Sequence, residues 1–595
     1  MLNRLFIGTI AVLAFSAAAS AAPGNGAEPV DFWLTVLHNN DGESQLIDAG
    51  PGLEDFGGAA RFKTLVDQLK RQALNGPRPT SQRGGKRGVI MLSSGDNFLA
   101  GPEFNVGIEK GVPFYDTIAL DQIGYDAIIL GNHDFDFGPD ILADFISGYA
   151  NPAPYLSANL EFSGEPRLQA YVDEGRLAKS IVIKERGELI GVIGATTPAL
   201  PFVSSPRRVV VGDVATAVQG EINQLTRRGI NKIVVVSHLQ SVQEDLALAP
   251  LLSGVDIMIA GGGDEVLANP SDLLVPGDTV DGPYPLTAQG RDGAQIPVVT
   301  TAGNYKYVGR LMAGFDRQGR LVKIDAESGP VRVAGGLNPD AVEPDPFLQA
   351  MVTDPVVAGL QSLAANAIGN SQVDLDGVRN NVRTRETNQG NLIADALLWQ
   401  ARQLAPAFGV PVPDVALQNG GGIRNDSVIP AGPVTELDTF DMLPFPNFTT
   451  LVAGISRAQF KEILENAVSR VEFRDGRFAQ LAGFSLVWDA DGTPQVLDGN
   501  GLVLTPGSRI VDVVLEDGTP IVLGGVVQNG PALNVATIDF LARGGDQYPY
   551  RGAPFTTLGV TYQQSLANYI EQGLGGTITA GDYPFGGEGR ITRIN

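Results

Sequence analysis

Between residues 31 and 260 one phrase recurs five times: a short, continuously apolar run followed at once by a tight polar turn. The run 32–37 leads into His38-Asn39-Asn40-Asp41-Gly42-Glu43, and 89–92 into Ser93-Ser94-Gly95-Asp96-Asn97. The run 127–130 leads into Gly131-Asn132-His133-Asp134-Phe135-Asp136, 233–236 into Ser237-His238, and 256–260 into Gly261-Gly262-Gly263-Asp264-Glu265. Helical stretches such as 59–71 and 214–228 lie between them, so strand and helix alternate. That alternation predicts an α/β fold whose strands are buried on both faces, which is why the runs are continuously apolar. Ligands gather at the carboxyl ends of the strands in such sheets, so five polar turns can converge on one site.

The chemistry of those turns narrows the options. Cysteine is absent, which excludes disulfides and thiolate metal sites and leaves only oxygen and imidazole as metal donors. Histidine occurs three times, at His38, His133 and His238, each in or beside one of the turns. A single histidine is more often a hydrogen-bonded structural residue than a functional one. Three at strand ends, close to Asp41, Asp96 and Asn132, form the donor set that a pair of hard or borderline divalent cations requires. With 66 acidic and 42 basic residues the net charge is −24, which argues against a nucleic-acid polymer or an anionic membrane as partner. A small anionic substrate remains compatible where arginines are concentrated.

At 595 residues the chain exceeds what one core organises, so at least two domains are expected. A texture rich in Pro, Gly and Asp over 329–346, followed by a helical stretch 347–367, marks the boundary. Beyond it the segment starting at Asn388 opens a helix, and Ser456 caps another that runs through Phe460, Ile463, Leu464 and Ala467. Three segments there carry chemistry: Arg379 and Arg383, the turn Asn419-Gly420-Gly421-Gly422-Ile423-Arg424, and Phe540-Leu541-Ala542-Arg543-Gly544-Gly545-Asp546. Glycines let backbone approach a ligand, and arginines supply paired hydrogen bonds to phosphate oxygens. The first residues read as an export signal over 1–21: Arg4, an apolar stretch 5–15, and Ala19-Ser20-Ala21 as a cleavage site. That stretch is shorter than the ~20 residues a bilayer span needs, so a periplasmic or secreted product without a membrane anchor is expected.

These motifs, with Gly57-Gly58-Ala59-Ala60-Arg61 and Ser157-Ala158-Asn159-Leu160, resemble the calcineurin-like metallophosphoesterases of the 5′-nucleotidase group. The resemblance implies an N-terminal two-sheet α/β sandwich over 29–330, a linker with a helix over 331–370, and a C-terminal α/β substrate-binding domain over 371–595. It implies two divalent ions, one on Asp41 and the other on Asn132 and His238 with Asp96 bridging the two, and His133 as a non-ligand acid held by Asp136. It further implies that Phe445 and Phe540 sandwich a nucleobase, that Asp546 takes the ribose hydroxyls, that Arg379, Arg383 and Arg424 meet phosphate or nearby substrate groups, and that Asn419 also binds substrate. If the domains must close on substrate, the linker is the hinge.

The chain also departs from the family's pattern. Asp41-Gly42-Glu43 stands where Asp-x-His is usual, and Gly261-Gly262-Gly263-Asp264 where Gly-His-x-His or a close variant is usual. Glu43 and Asp264 thus put carboxylates at positions that carry imidazole or other ligands elsewhere, and Gly262 offers no ligand. Carboxylates favour Mn²⁺, Mg²⁺ or Ca²⁺ over Zn²⁺. Three readings follow: a nucleotide-hydrolysing phosphoesterase with a retuned metal site, a nucleotide-binding protein with an inactive one, and a phosphatase or phosphodiesterase acting on a different ester.

Overall fold

The computed structural model describes residues 30–78, 82, 84–499 and 501–595; the expected export signal lies outside them. The first half is a sandwich of two sheets. In one, Phe32–Asn39, Lys86–Ser93, Ala127–Ile129, Tyr155–Leu156 and Leu177–Ala178 run parallel in that order, and Tyr307–Phe315 pairs antiparallel on the free side of Phe32–Asn39. In the other, Glu188–Thr196, Ile233–His238, Ile257–Ile259 and Gln295–Val299 are parallel, flanked by antiparallel Ser180–Glu185 and Leu286–Gln289.

Strand parity explains why every run is apolar throughout. Successive side chains point to opposite faces. Phe32, Leu34 and Val36 join Ile90, Leu92, Ile129, Val192, Val234 and Ile257 in the layer between the sheets. The alternate residues Leu37, Met91, Ile128 and Leu130 pack outward against Phe62, Leu65 and Val66 of the helix Ala59–Asn75 and Leu120 and Ile123 of Tyr115–Ile123. On the far side Ile193, Val235 and Met258 meet Val218, Ile222 and Leu225 of the helix Val214–Arg227. Helix, sheet, sheet and helix therefore stack in four layers, and the parallel strands of each sheet bring their carboxyl-terminal turns to one end.

The helix expected over 347–367 begins with Pro346–Leu348, where the Asp345 carboxylate accepts from the Phe347 and Leu348 amides, and passes through a π-helical segment Gln349–Thr353 into Asp354–Ala365. Leu348, Val352 and Val356 are buried in the core of the first half. The helix stops at Ala365 because Ala367–Ser371 is drawn into pairing with Gly432–Thr435.

From there a single core runs from Ile368 to Tyr583. Its central sheet has the order Ala479–Ala482, Val415–Asn419, Leu533–Ile538, Phe448–Ile455 and Phe555–Thr561. The helix Asn388–Phe408 packs on it, started by the Thr387 side chain accepting from the Gly390 amide and ended by Gly409 at φ 64°. Ser456 caps Arg457–Ala467 through the Gln459 amide, and Phe460, Ile463, Leu464 and Ala467 are all buried. Among the described residues no helix is long and apolar enough to cross a membrane.

Candidate active site

The turns after Phe32–Asn39 and Lys86–Ser93 are locked together by backbone hydrogen bonds, Asp41 N to Gly95 O and Glu43 N to Asp96 O, both 3.0 Å. The fit is close enough that Asp41, Glu43 and Asp96 adopt left-handed backbone at φ 49°, 49° and 51°, a conformation costly for residues with a Cβ and concentrated at functional sites. Gly95, at φ 96°, could carry no side chain, since a Cβ would lie 2.7 Å from the Gly131 amide and 2.9 Å from His238 Nδ1.

Asp41, Asp96 and His238 come together, each buried, with one donor atom apiece mutually within 4.8 Å. His238 donates from Nδ1 to the Ser94 carbonyl at 2.6 Å, which fixes the ring and turns Nε2 towards the two carboxylates. Nε2 lies 2.8 Å from Asp96 Oδ2 and 3.9 Å from Asp41 Oδ1, yet makes no aligned hydrogen bond. A buried imidazole held by a carbonyl on one nitrogen and facing two carboxylates with the other is the arrangement of a metal-ligating histidine. The electrostatics agree. Burial pushes Asp41 up to about 7, with Asp96 adding to the rise, and pushes Glu43 up to about 8. Burial opposes charge on His238, but Asp96 and Asp41 raise it to about 10. Crowding of buried carboxylates is a charge imbalance that a divalent cation relieves. These residues therefore fit a bound divalent ion.

Asn132 stands beside this group, its Oδ1 accepting from Gln240 Nε2 at 2.9 Å. His133 follows, tied by its backbone amide to Asp96 Oδ1 at 2.7 Å. Its Nδ1 pairs with Asp136 Oδ2 at 2.7 Å, and Asp136 Oδ1 accepts from Ser204 Oγ at 2.8 Å. Burial works against a charged His133, but Asp136 and Asp96 raise it to about 9.

The third histidine has a different fate. His38 occupies the same strand face as Leu34 and Val36, so it points into the layer between the sheets, where its Nε2 meets Tyr284 Oη at 2.8 Å and the two rings lie parallel. Burial pushes it down to about 3, which makes it a neutral structural residue. Of the three histidines, His238 joins the two carboxylates and His133 is tied to Asp96, whereas His38 stands apart from them.

The Gly261–Glu265 turn also resolves. Asp264 is exposed and lies outside the three-donor group. Glu265 turns away, accepting from the Val242 amide at 3.1 Å at the start of Val242–Leu248. Gly262, at φ 85°, donates its amide to Asp41 Oδ2 at 3.1 Å, and a Cβ there would overlap the Leu239 carbonyl.

Asn132, His133 and Asp136 open onto a cleft of about 390 Å³ whose opposite wall comes from the second half of the chain. Arg379, Arg383, Arg424, Asn419, Phe445, Phe540 and Asp546 all line it. Among the described residues Arg379, Arg383 and Arg424 form no ion pair within 4.0 Å, and burial, then Arg379 and Arg424, push Arg383 down to about 10. Three guanidinium groups so placed suit an anionic ligand. Asn419 donates to Asp546 Oδ2 at 2.6 Å, and burial pushes Asp546 up to about 6. Phe445 and Phe540 are half-buried. Arg424 sits over the Phe445 ring at 5.5 Å. Gly545 carries the chain past Phe540, where a Cβ would sit about 2.5 Å from the ring.

Gln240 and Ser204 escaped the sequence reading. Gln240 sits two residues past His238 and could have been noticed on that ground; Ser204 lies 68 residues from Asp136 and carries no local signal.

A two-sheet sandwich with a buried carboxylate and imidazole centre, faced by an arginine- and phenylalanine-lined wall, defines a phosphoesterase-type domain joined to a second α/β domain. Comparison with known proteins agrees. The family "5'-nucleotidase, C-terminal domain" matches residues 367–552. The chain is 30% identical to the 5'-nucleotidase of Mus musculus over 78% of this chain and 76% of that protein. It is 29% identical to the trifunctional nucleotide phosphoesterase protein YfkN of Bacillus subtilis (strain 168) over 87% of this chain, and spans 32% of that longer protein. Among solved structures it resembles a 5'-nucleotidase precursor from Thermus thermophilus, with a TM-score of 0.70, 30% identity, and coverage of 95% of this chain and 100% of that one. The chain belongs to the 5′-nucleotidase family.

Proposed function

We propose that this protein is an exported, metal-dependent phosphoesterase that hydrolyses nucleoside monophosphates to nucleoside and phosphate. The observation that carries the reading is that a single cleft unites Asn132 and the His133–Asp136 pair with three arginines and two phenylalanines. The names of its relatives, 5'-nucleotidases and a nucleotide phosphoesterase, support the substrate class. In this reading residues 29–330 form the catalytic domain, 331–370 the linker and 371–595 the substrate-binding domain, and the product acts in the periplasm or outside the cell.

Asp41, Glu43, Asp96, Asn132, His238 and Asp264 are the residues that would hold divalent ions, with Mn²⁺, Mg²⁺ or Ca²⁺ favoured over Zn²⁺. When bound, such ions supply a water nucleophile at neutral pH and offset negative charge at phosphorus. The chain's own residues do the rest. Arg379, Arg383 and Arg424 hold phosphate oxygens and orient the ester for in-line displacement. Phe445 and Phe540 stack the base, a contact that tolerates every base and so predicts broad nucleotide use. Asp546, steadied by Asn419, receives the ribose hydroxyls. His133, oriented and kept protonated by Asp136, delivers its proton to the departing 5′ oxygen.

The test is phosphate release from AMP by metal-stripped protein with Mn²⁺, Mg²⁺, Ca²⁺ and Zn²⁺ restored separately. Release restored best by a hard ion is the expected result. AMP binding without release under any ion would instead favour a nucleotide-binding protein, and release from other esters but not AMP a phosphoesterase of different specificity.

A further inference from the structure

A general acid works only if its ring is aimed, and the backbone alone does not aim His133. The His133 amide is tied to Asp96 Oδ1 at 2.7 Å, which fixes the start of the turn. The terminal torsions of His133 and Asp136 stay open, because torsions of that kind are broad and select no single orientation. Asp136 follows the single turn His133–Phe135, and its Oδ2 meets His133 Nδ1 at 2.7 Å. That contact leaves Nε2 as the ring nitrogen for the cleft that His133 lines. The ring is therefore only as well aimed as the carboxylate of Asp136.

The second oxygen of that carboxylate is held from elsewhere. Ser204 Oγ donates to Asp136 Oδ1 at 2.8 Å, and both residues are buried. Ser204 follows the short helix Leu200–Val203, to which its amide returns by donating to the Leu200 carbonyl at 3.2 Å, and Leu200 is buried in the core of the first half. Three residues on, Arg207 pairs with Asp140 Oδ2 at 2.7 Å, on the helix Gly138–Ser147 that comes soon after Asp136. Ser205 turns to the opposite wall, where its Oγ lies 3.5 Å from Arg543 Nη2. Arg543 is itself paired with Asp539 at 2.7 Å, beside Phe540. The loop that carries Ser204 is thus seated on the core, on the helix after the acid and against the wall that carries Phe540.

We propose that Ser204 is a positioning residue for His133: its hydroxyl holds Asp136 in one orientation, and through Asp136 it aims the His133 ring at the leaving oxygen. Ser204 acts through Asp136 and transfers no proton itself. The inference rests on the phosphoesterase reading for the leaving oxygen, whereas the hydrogen-bonded series Ser204, Asp136, His133 rests on geometry alone. Without the hydroxyl, Asp136 Oδ1 becomes a buried acceptor with no partner among the described residues. A carboxylate left so gains by rotating towards another donor, and that rotation takes Oδ2 away from His133.

The experiment compares AMP, whose departing 5′ oxygen needs a proton, with 4-nitrophenyl phosphate, whose departing oxygen does not, both at saturating Mn²⁺. Ser204→Ala should lower kcat for AMP about 10-fold, a fraction of the roughly 10²- to 10⁴-fold that a general acid contributes, with KM nearly unchanged and a clearly smaller loss on the aryl ester. Ser204→Thr, which keeps the hydroxyl, should restore most of the AMP rate. In a His133→Ala background Ser204→Ala should cost less than about 2-fold, because a residue that acts only through His133 then has nothing left to aim. A second readout needs no turnover. With three histidines in the chain, the His133 Nδ1 proton can be assigned by NMR of protein carrying isotope-labelled histidine, from its disappearance in His133→Ala. It should broaden by exchange with water in Ser204→Ala and sharpen again in Ser204→Thr. Equal losses on both esters, a full loss retained in the absence of His133, or an unchanged His133 proton in a folded Ser204→Ala would each overturn the inference. No release from either ester by the unaltered protein would sink the phosphoesterase reading alone, and the His133 proton would still decide whether Ser204 positions the ring.

Discussion

The two phenylalanines of the cleft should not be equivalent. Phe540 is half-buried at the cleft wall, with Gly545 passing close to its ring, and no charged group lies over it among the described residues. Phe445 carries the Arg424 guanidinium at 5.5 Å from its ring centre, so it supports a phosphate-side residue as well as a base. Removing a stacking aromatic costs about 1–3 kcal/mol per base, or about 5- to 150-fold. Losing a partly exposed cation–π contact costs about 0.5–1 kcal/mol, or about 2- to 5-fold. Phe540→Ala should therefore lower kcat/KM for AMP by about 5- to 150-fold and leave hydrolysis of 4-nitrophenyl phosphate, which has no base or ribose, almost unchanged. Phe445→Ala should lower AMP turnover comparably and also cut the aryl phosphate rate by about 2- to 5-fold, because Arg424 loses its platform. The assay is kcat/KM on both substrates at saturating Mn²⁺, with thermal melts to confirm that each variant folds. Equal losses on both substrates for a folded Phe540→Ala would refute the clamp, and identical substrate profiles for the two variants would refute the asymmetry.

His133→Ala should leave bound Mn²⁺ nearly unchanged while turnover falls by about 10²- to 10⁴-fold, the range for a general acid; metal analysis of the same sample checks the separation. Gln240→Ala frees the Asn132 amide to rotate, and should weaken Mn²⁺ binding by about 10- to 100-fold, read by titrating the metal-stripped protein with Mn²⁺. Asp116 is fully buried, and burial pushes its carboxyl up to about 7. A carboxyl raised in the folded state stays protonated while the unfolded chain ionises near 3.8, so this residue removes stability as pH rises from about 4 to 7. Asp116→Asn should raise the melting temperature more at pH 8 than at pH 4.5, by at most about 4 kcal/mol in stability; an equal gain at both pH values would count against the argument.

Much of the active-site half was legible because buried parallel strands must be apolar on both faces and must end abruptly where the chain turns. Asp41, Asp96, Asn132 and His238 could be assigned to strand ends from the residues alone, and the caps at Thr387 and Ser456 follow from local hydrogen bonding. His38 misled because a one-residue change of parity decides whether a side chain at a strand end faces the turns or the core, and its partner Tyr284 is 246 residues away.

What the sequence by itself determined is the local part: which runs become strands, which polar turns follow them, and that any metal must sit on oxygen and imidazole. Only the tertiary structure decided which donors remain free. Gly262 spends its amide on Asp41, Glu265 caps a helix, Gln240 holds Asn132, and Ser204 braces Asp136. Each of these contacts joins residues 23 or more positions apart, and no periodicity or motif specifies such a contact. They arise because two sheets close on one another and bring loops to the same end, where every buried polar atom must find a partner in the chain or in a ligand.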